Sequence, residues 1–145
     1  MAPKIVVDTS VLIKWFKTRG EEFLKEAARL REEIDRGGIE VHVPALLLYE
    51  VGNILLVKTR LRPAALDEAV ARLEALPFVV APPAAPILKR ALRLGRESSL
   101  TFYDASFLAL AVELDCMFVT ADERLIEQTH SHQRGRDLSR IGSII

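Results

Sequence analysis

Four acidic residues stand where a carboxylate can do chemistry rather than only solvate a surface: Asp8, Glu50, Asp104 and Asp122. Asp8 closes the β-branched run Ile5, Val6, Val7 and is followed by Thr9 and Ser10, so it reads as the end of a buried strand. Open α/β sheets bind ligands at that carboxyl edge. Asp122 lies just past a second such run, Met117 to Thr120, and parallel strands put both acids on one edge. Glu50 lies about two turns, ~9 Å, into the helix that follows another strand, within reach of the same edge. Asp104 opens the helix before Met117, where Thr101, Phe102, Tyr103, Asp104 also fits a capping box with an acid in the third position. Taken singly, each acid at a strand-to-helix turn is a helix cap.

Together they imply a cation. Two carboxylates ~4 Å apart at an effective dielectric near 20 repel by roughly 4 kcal/mol, so ionised acids sharing one edge need a metal or protons. Oxygen donors without a Cys cluster or a His pair suit Mg²⁺ or Mn²⁺ rather than Zn²⁺. Thr9, Ser10 and Thr120 are spaced to hydrogen-bond those carboxylates and fix their orientation.

The elements that must hold these residues follow from periodicity. Strands are expected at Ile5–Val7, Ile39–Val43, Phe78–Val80 and Met117–Thr120, with Ile141, Ile144 and Ile145 as a last strand and Ser131–Arg140 as a loop. Helices are expected from Val11 to Phe16, Glu21 to Arg36, Ala45 to Thr59, Pro63 to Leu76, Ile87 to Gly95, Thr101 to Val112 and Glu123 to Gln128. The Ala45–Thr59 helix is apolar enough to be largely covered. Short strands separated by helices predict a three-layer α/β fold, a central mostly parallel sheet flanked by helices. His42 in its strand and Cys116 in Cys116–Val119 read as packed residues rather than ligand or nucleophile.

Composition narrows the partners. The 145 residues suit one domain, 1–145, with a real core. Twenty Lys plus Arg balance twenty Asp plus Glu, so any basic binding surface has to be local. One cysteine excludes an internal disulfide, and no apolar run reads as a signal peptide or a membrane span. A soluble, unprocessed, cytoplasmic protein is expected. One Asn and two Gln against fourteen Arg are the balance expected of a heat-adapted source.

At this stage a resemblance emerges. Val6, Val7, Asp8, Thr9, Ser10, Val11, Leu12, then Glu50 with Asn53, then Tyr103, Asp104, Ala105 with Leu108 to Ala111, then Thr120, Ala121, Asp122 resemble the PIN-domain ribonucleases, especially the VapC toxins of toxin–antitoxin pairs. The likeness spans essentially the whole chain. It implies a Mg²⁺-dependent endoribonuclease on a sheet of about five strands, with Mn²⁺ as a substitute ion. Asp8, Glu50, Asp104 and Asp122 match the family's acidic quartet, with Asp8, Asp104 and Asp122 as metal ligands. Glu50 either binds a second ion or orients the attacking water. Thr120 matches a common hydroxyl position and Asn53 an accessory polar one. The resemblance also implies products with 5′-phosphate and 3′-hydroxyl ends, a homodimer, and a small antitoxin partner, with contacts on the Ala45–Thr59 and Pro63–Leu76 helices.

An RNA substrate needs cations despite the neutral total. Lys14, Lys17, Arg19, Arg96, Arg134, Arg136 and Arg140 are candidates for the backbone, and Tyr103 for stacking on a base, though a core aromatic fits Tyr103 equally. Three rival readings remain: a PIN-fold module that binds RNA or antitoxin without cutting, an aspartate-nucleophile phosphatase, and a receiver domain. Ser10 stands where the phosphatase needs its second Asp, and Glu123 and Arg124 follow Asp122 where a receiver needs a late Lys.

Overall fold

Ile5, Val6 and Val7 are all buried because their strand lies in the middle of the sheet. Strands β1 (Lys4–Val7), β2 (Glu40–Pro44), β3 (Phe78–Ala81), β4 (Met117–Thr120) and β5 (Gly135–Asp137) pair in the order β3-β2-β1-β4-β5. Every pairing is parallel, with Val6 opposite His42 on one side and Phe118 on the other. This is a computed structural model describing residues 1–145.

The helices are α1 (Thr9–Leu12), continued by a 3-10 turn at Ile13–Trp15, α2 (Leu24–Asp35), α3 (Leu46–Lys58), α4 (Pro63–Glu74), α5 (Ala85–Ser98), α6 (Phe102–Glu113) and α7 (Glu123–Gln128). Val41 to Pro44 are buried without interruption, so helices cover both faces of the sheet, as a parallel sheet requires. The expected three-layer α/β architecture is therefore present. Helix α6 packs on β1, β2 and β4, and α5 packs on α6. Ala105 to Ala111 are consequently all buried, which is why α6 is apolar on every side.

The strand order carries the site. From β1 the chain winds outward one way to β2 and β3, then crosses back to β4 and β5. The reversal lies between β1 and β4, the kind of crevice in which doubly wound sheets take ligands. A receiver domain has the order 2-1-3-4-5, so the topology removes that rival.

Three expectations are corrected. The fifth strand is Gly135–Asp137, inside the segment read as a loop, while Leu138–Ser143 forms a 3-10 turn that buries Leu138 and Ile141. An edge strand of Gly, Arg and Asp has no apolar pattern to announce it. Helix α2 starts at Leu24 rather than Glu21, because Phe23 sits in the left-handed region at φ 57°. Helix α3 is less covered than its composition suggests: Leu47, Val51 and Leu55 are buried, whereas Tyr49, Leu56 and Val57 are mostly exposed. His42 is buried and pairs with Glu40 at 2.5 Å, and Cys116 is half-buried just before β4. No helix is long and apolar enough to cross a membrane.

Candidate active site at the β1–β4 switch

Asp8 leaves β1 in an extended conformation, φ −95° and ψ 178°, and caps α1 by accepting from the Val11 amide at 3.4 Å. It is a cap, but its carboxylate does more. Ser10 Oγ donates to Asp8 Oδ1 at 2.5 Å, and Thr120 Oγ1, on β4, donates to Asp8 Oδ2 at 2.5 Å. Ser10 Oγ also accepts from the Ala121 amide at 2.9 Å, and Thr120 Oγ1 accepts from the Asp122 amide at 3.1 Å. Two hydroxyls thus tie the ends of β1 and β4 across the reversal. Asp8 is 6 % exposed and Thr120 fully buried, so these bonds are shielded from water.

The other acids come from neighbouring helices. Thr9 Oγ1 donates to Glu50 Oε1 at 2.8 Å, tying α1 to α3. Thr101 caps α6 by accepting from the Asp104 amide at 3.1 Å, as the capping-box spacing requires, and the Asp104 carboxylate stands beside Arg124. Asp122 caps α7 through Oδ1, accepting from the Arg124 amide at 3.0 Å and the Leu125 amide at 3.4 Å.

Electrostatics link the four. Burial pushes the Asp8 carboxyl up to about 6, against the pull of the Ser10, Thr120 and Val11 hydrogen bonds, and the charge of Asp104 adds to the rise. Burial raises Glu50 as well, opposed by the Thr9 hydrogen bond and reinforced by Asp104. Asp104 itself is raised by burial and by Asp122, with Arg124 pulling the other way. Asp104 is therefore the common neighbour of the other three acids. As the side chains stand, no three carboxylates converge closely enough to cage an ion. The donor set nevertheless fits a hard divalent cation: oxygen donors only, mutually repelling, one of them buried and held by hydroxyls.

Arg124 is the residue that sequence reasoning passed over. Its Nη2 lies 3.7 Å from Asp104 Oδ2 and 3.8 Å from Asp122 Oδ2, so a guanidinium supplies counter-charge between two of the acids. The signal was its position two residues after Asp122, on the first turn of the helix that Asp122 caps.

The predicted basic residues divide. Lys14 is buried and pairs with Glu21 at 3.1 Å, and Lys17 shares that carboxylate at 3.4 Å. Arg134 pairs with Asp115 at 2.9 Å and donates to the Cys116 carbonyl, which puts it at the amino edge of β4, opposite the acids. Arg136 donates to the Gln133 and Gly135 carbonyls on the outer strand. Both placements have one cause, since neighbours in sequence to β4 and β5 can lie at either end of the strands. Arg19, Arg96 and Arg140 are exposed, and so is Asn53. Tyr103 is 58 % exposed beside Asp104, with its ring edge-on to Phe102 at 6.5 Å, so it is a surface aromatic and not a core one.

Known proteins share the sequence and fold of this chain in part. "Ribonuclease VapC1" of Mycobacterium tuberculosis is 29% identical over 123 residues, 83% of this chain and 86% of that protein. Among solved structures, PAE2754 from Pyrobaculum aerophilum superposes with a TM-score of 0.67 at 27% identity, covering 99% of this chain and 98% of its own. A toxin–antitoxin complex from Klebsiella pneumoniae shares the fold with a TM-score of 0.68 at 18% identity, covering 92% of this chain and 97% of that one. The family model described as the PIN domain matches residues 5–130, a span that holds all four acids, and the chain belongs to that family.

Proposed function

We propose that the chain is a divalent-metal-dependent endoribonuclease of the VapC kind, acting as the toxin of a toxin–antitoxin pair. The observation that carries this reading is the buried Asp8 carboxylate, held on both oxygens by Ser10 and Thr120 and coupled through Asp104 to Glu50 and Asp122. A structural cap has no need of a second strand's hydroxyl. The name of the curated relative adds the substrate class.

Asp8, Asp104 and Asp122 would hold the ion, with Ser10 and Thr120 fixing the orientation of Asp8. Bound Mg²⁺ or Mn²⁺ supplies charge to neutralise a phosphodiester and acidify a water molecule. Glu50, anchored by Thr9 and raised by its surroundings, is placed to accept a proton from the attacking water. Attack at phosphorus with the 3′ oxygen leaving gives 5′-phosphate and 3′-hydroxyl ends. Exposed Tyr49, Leu56 and Leu92 offer apolar area for a homodimer or an antitoxin, in keeping with the fold shared with a toxin–antitoxin complex.

Cleavage of a structured RNA in Mg²⁺ by wild type and by Asp8→Asn tests the reading. The wild type should cut and the variant should lose at least a hundredfold in rate. Equal cutting by both, or none by wild type with any divalent ion, returns the chain to a binding module.

A further inference from the structure

Four carboxylates at the cleavage edge repel a phosphodiester chain, so affinity for RNA has to come from cations set apart from them yet within reach. The chain as a whole is neutral, and one place gathers four cations of which only Lys17 is ion-paired. An open cleft of about 730 Å³ lies between the segment after α1 and the carboxyl end of α3. Lys17, Arg19, Lys58 and Arg60 line it, Phe16 and Leu61 give it apolar walls, and no carboxylate lines it. Lys17 is steadied by Glu21 and by donating to the Arg19 carbonyl, whereas Arg19, Lys58 and Arg60 join no ion pair.

We infer that this cleft is a docking site for the RNA backbone beyond the acids, a reading that rests on the ribonuclease function proposed above. The two walls start at the active site. One is the chain that runs on from Asp8 through α1 and the 3-10 turn, and the other is α3, whose Glu50 is tied to Thr9. From Glu50 to Lys58 the helix rises ~12 Å, so a strand cut at the acids reaches the cleft within a few nucleotides. The cations are spread around the walls instead of converging on one point, which matches successive phosphates better than a single small anion. Sequence reasoning found Lys17 and Arg19 but not Lys58 and Arg60, which look like ordinary surface charges at the end of a helix.

The test is fluorescence anisotropy of a labelled ~12-nucleotide single-stranded RNA, read in EDTA across a salt series so that binding is separated from cleavage. Lys58→Ala with Arg60→Ala should weaken binding about tenfold or more at low salt and flatten the salt slope by about 1.4. Lys58→Gln with Arg60→Gln keeps part of the stems and should behave alike, with thermal midpoints within a degree or two of wild type for these exposed sites. Affinity and slope unchanged in both double variants would overturn the proposal, as would a poly-glutamate peptide of equal charge competing as well as the RNA. If wild type binds through the cleft but never cuts with any divalent ion, the cleft stands and the nuclease reading falls.

Discussion

A carboxylate in the position of Asp8 works against the fold that holds it. Its ordinary value is 3.8 and its folded value about 6, so the folded state holds the proton more tightly than the unfolded chain does. Below about pH 4 both states are protonated and Asp8 costs nothing. Between about 4 and 6 the cost grows, and above 6 it is complete, on the order of 3 kcal/mol. Asp8→Asn keeps the shape and can still hydrogen-bond Ser10 and Thr120. It should therefore raise the thermal midpoint at pH 7 by several degrees, with the gain shrinking to nothing near pH 4; thermal melts across that range would show it. Arg124 makes the complementary case. A cation loading at Asp104 and Asp122 has to contend with a guanidinium already beside both. Mg²⁺ should raise the midpoint of wild type, Asp104→Ala should lose that rise, and Arg124→Ala should reach half of it at a several-fold lower Mg²⁺ concentration. A titration of midpoint against Mg²⁺ separates the three.

At the scale of elements, helix ends decide where the acids stand. Helix α5 stops at Ser99, which sits in the left-handed region at φ 54° and donates its amide to the Gly95 carbonyl, and three residues later α6 begins with Asp104 in its first turn. Gly95 is itself confined, since a Cβ there would meet the Leu100 carbonyl oxygen at 3.3 Å. A left-handed serine is strained where glycine is at ease, so Ser99→Gly should stabilise the protein by about 1 kcal/mol without moving Asp104. Chemical denaturation measures the gain, and unchanged Mg²⁺ response would confirm that the site is undisturbed. These elements were largely legible in advance because β-branched runs, Pro63, Gly37 and the Thr101 box are local signals. What tertiary packing decides was not legible. Phe23 breaking the start of α2, and Gly135–Asp137 recruited as an edge strand, leave no local pattern. Nor does a helix as apolar as α3 say which side the rest of the chain will cover.

For the whole molecule, the reading of the acids in sequence depended on their order relative to strands, and parallel topology converted that order into position. Direction along the sheet was the missing coordinate for the cations. Arg134 and Arg136 follow α7 closely in sequence, yet the chain has by then returned to the amino edge, and their guanidinium groups serve Asp115 and backbone carbonyls there. Arg124, only two residues past Asp122, has not yet left the acidic edge. Neutrality of the whole chain conceals this segregation, with acids gathered at the strand ends and a mostly unpaired basic cleft at the end of α3. The hydroxyl ties between β1 and β4 have a further consequence for a growing polypeptide. Asp8 and Thr120 are 112 residues apart, and Ser10 meets the Ala121 amide across a similar span. A ribosome-bound chain short of Thr120 can hold its first acid only through the nearby Ser10 and Val11, on one oxygen of the carboxylate. A chain that stops short of Asp122 therefore carries the four-acid edge in no finished form, and the site is assembled only when synthesis nears the last strands.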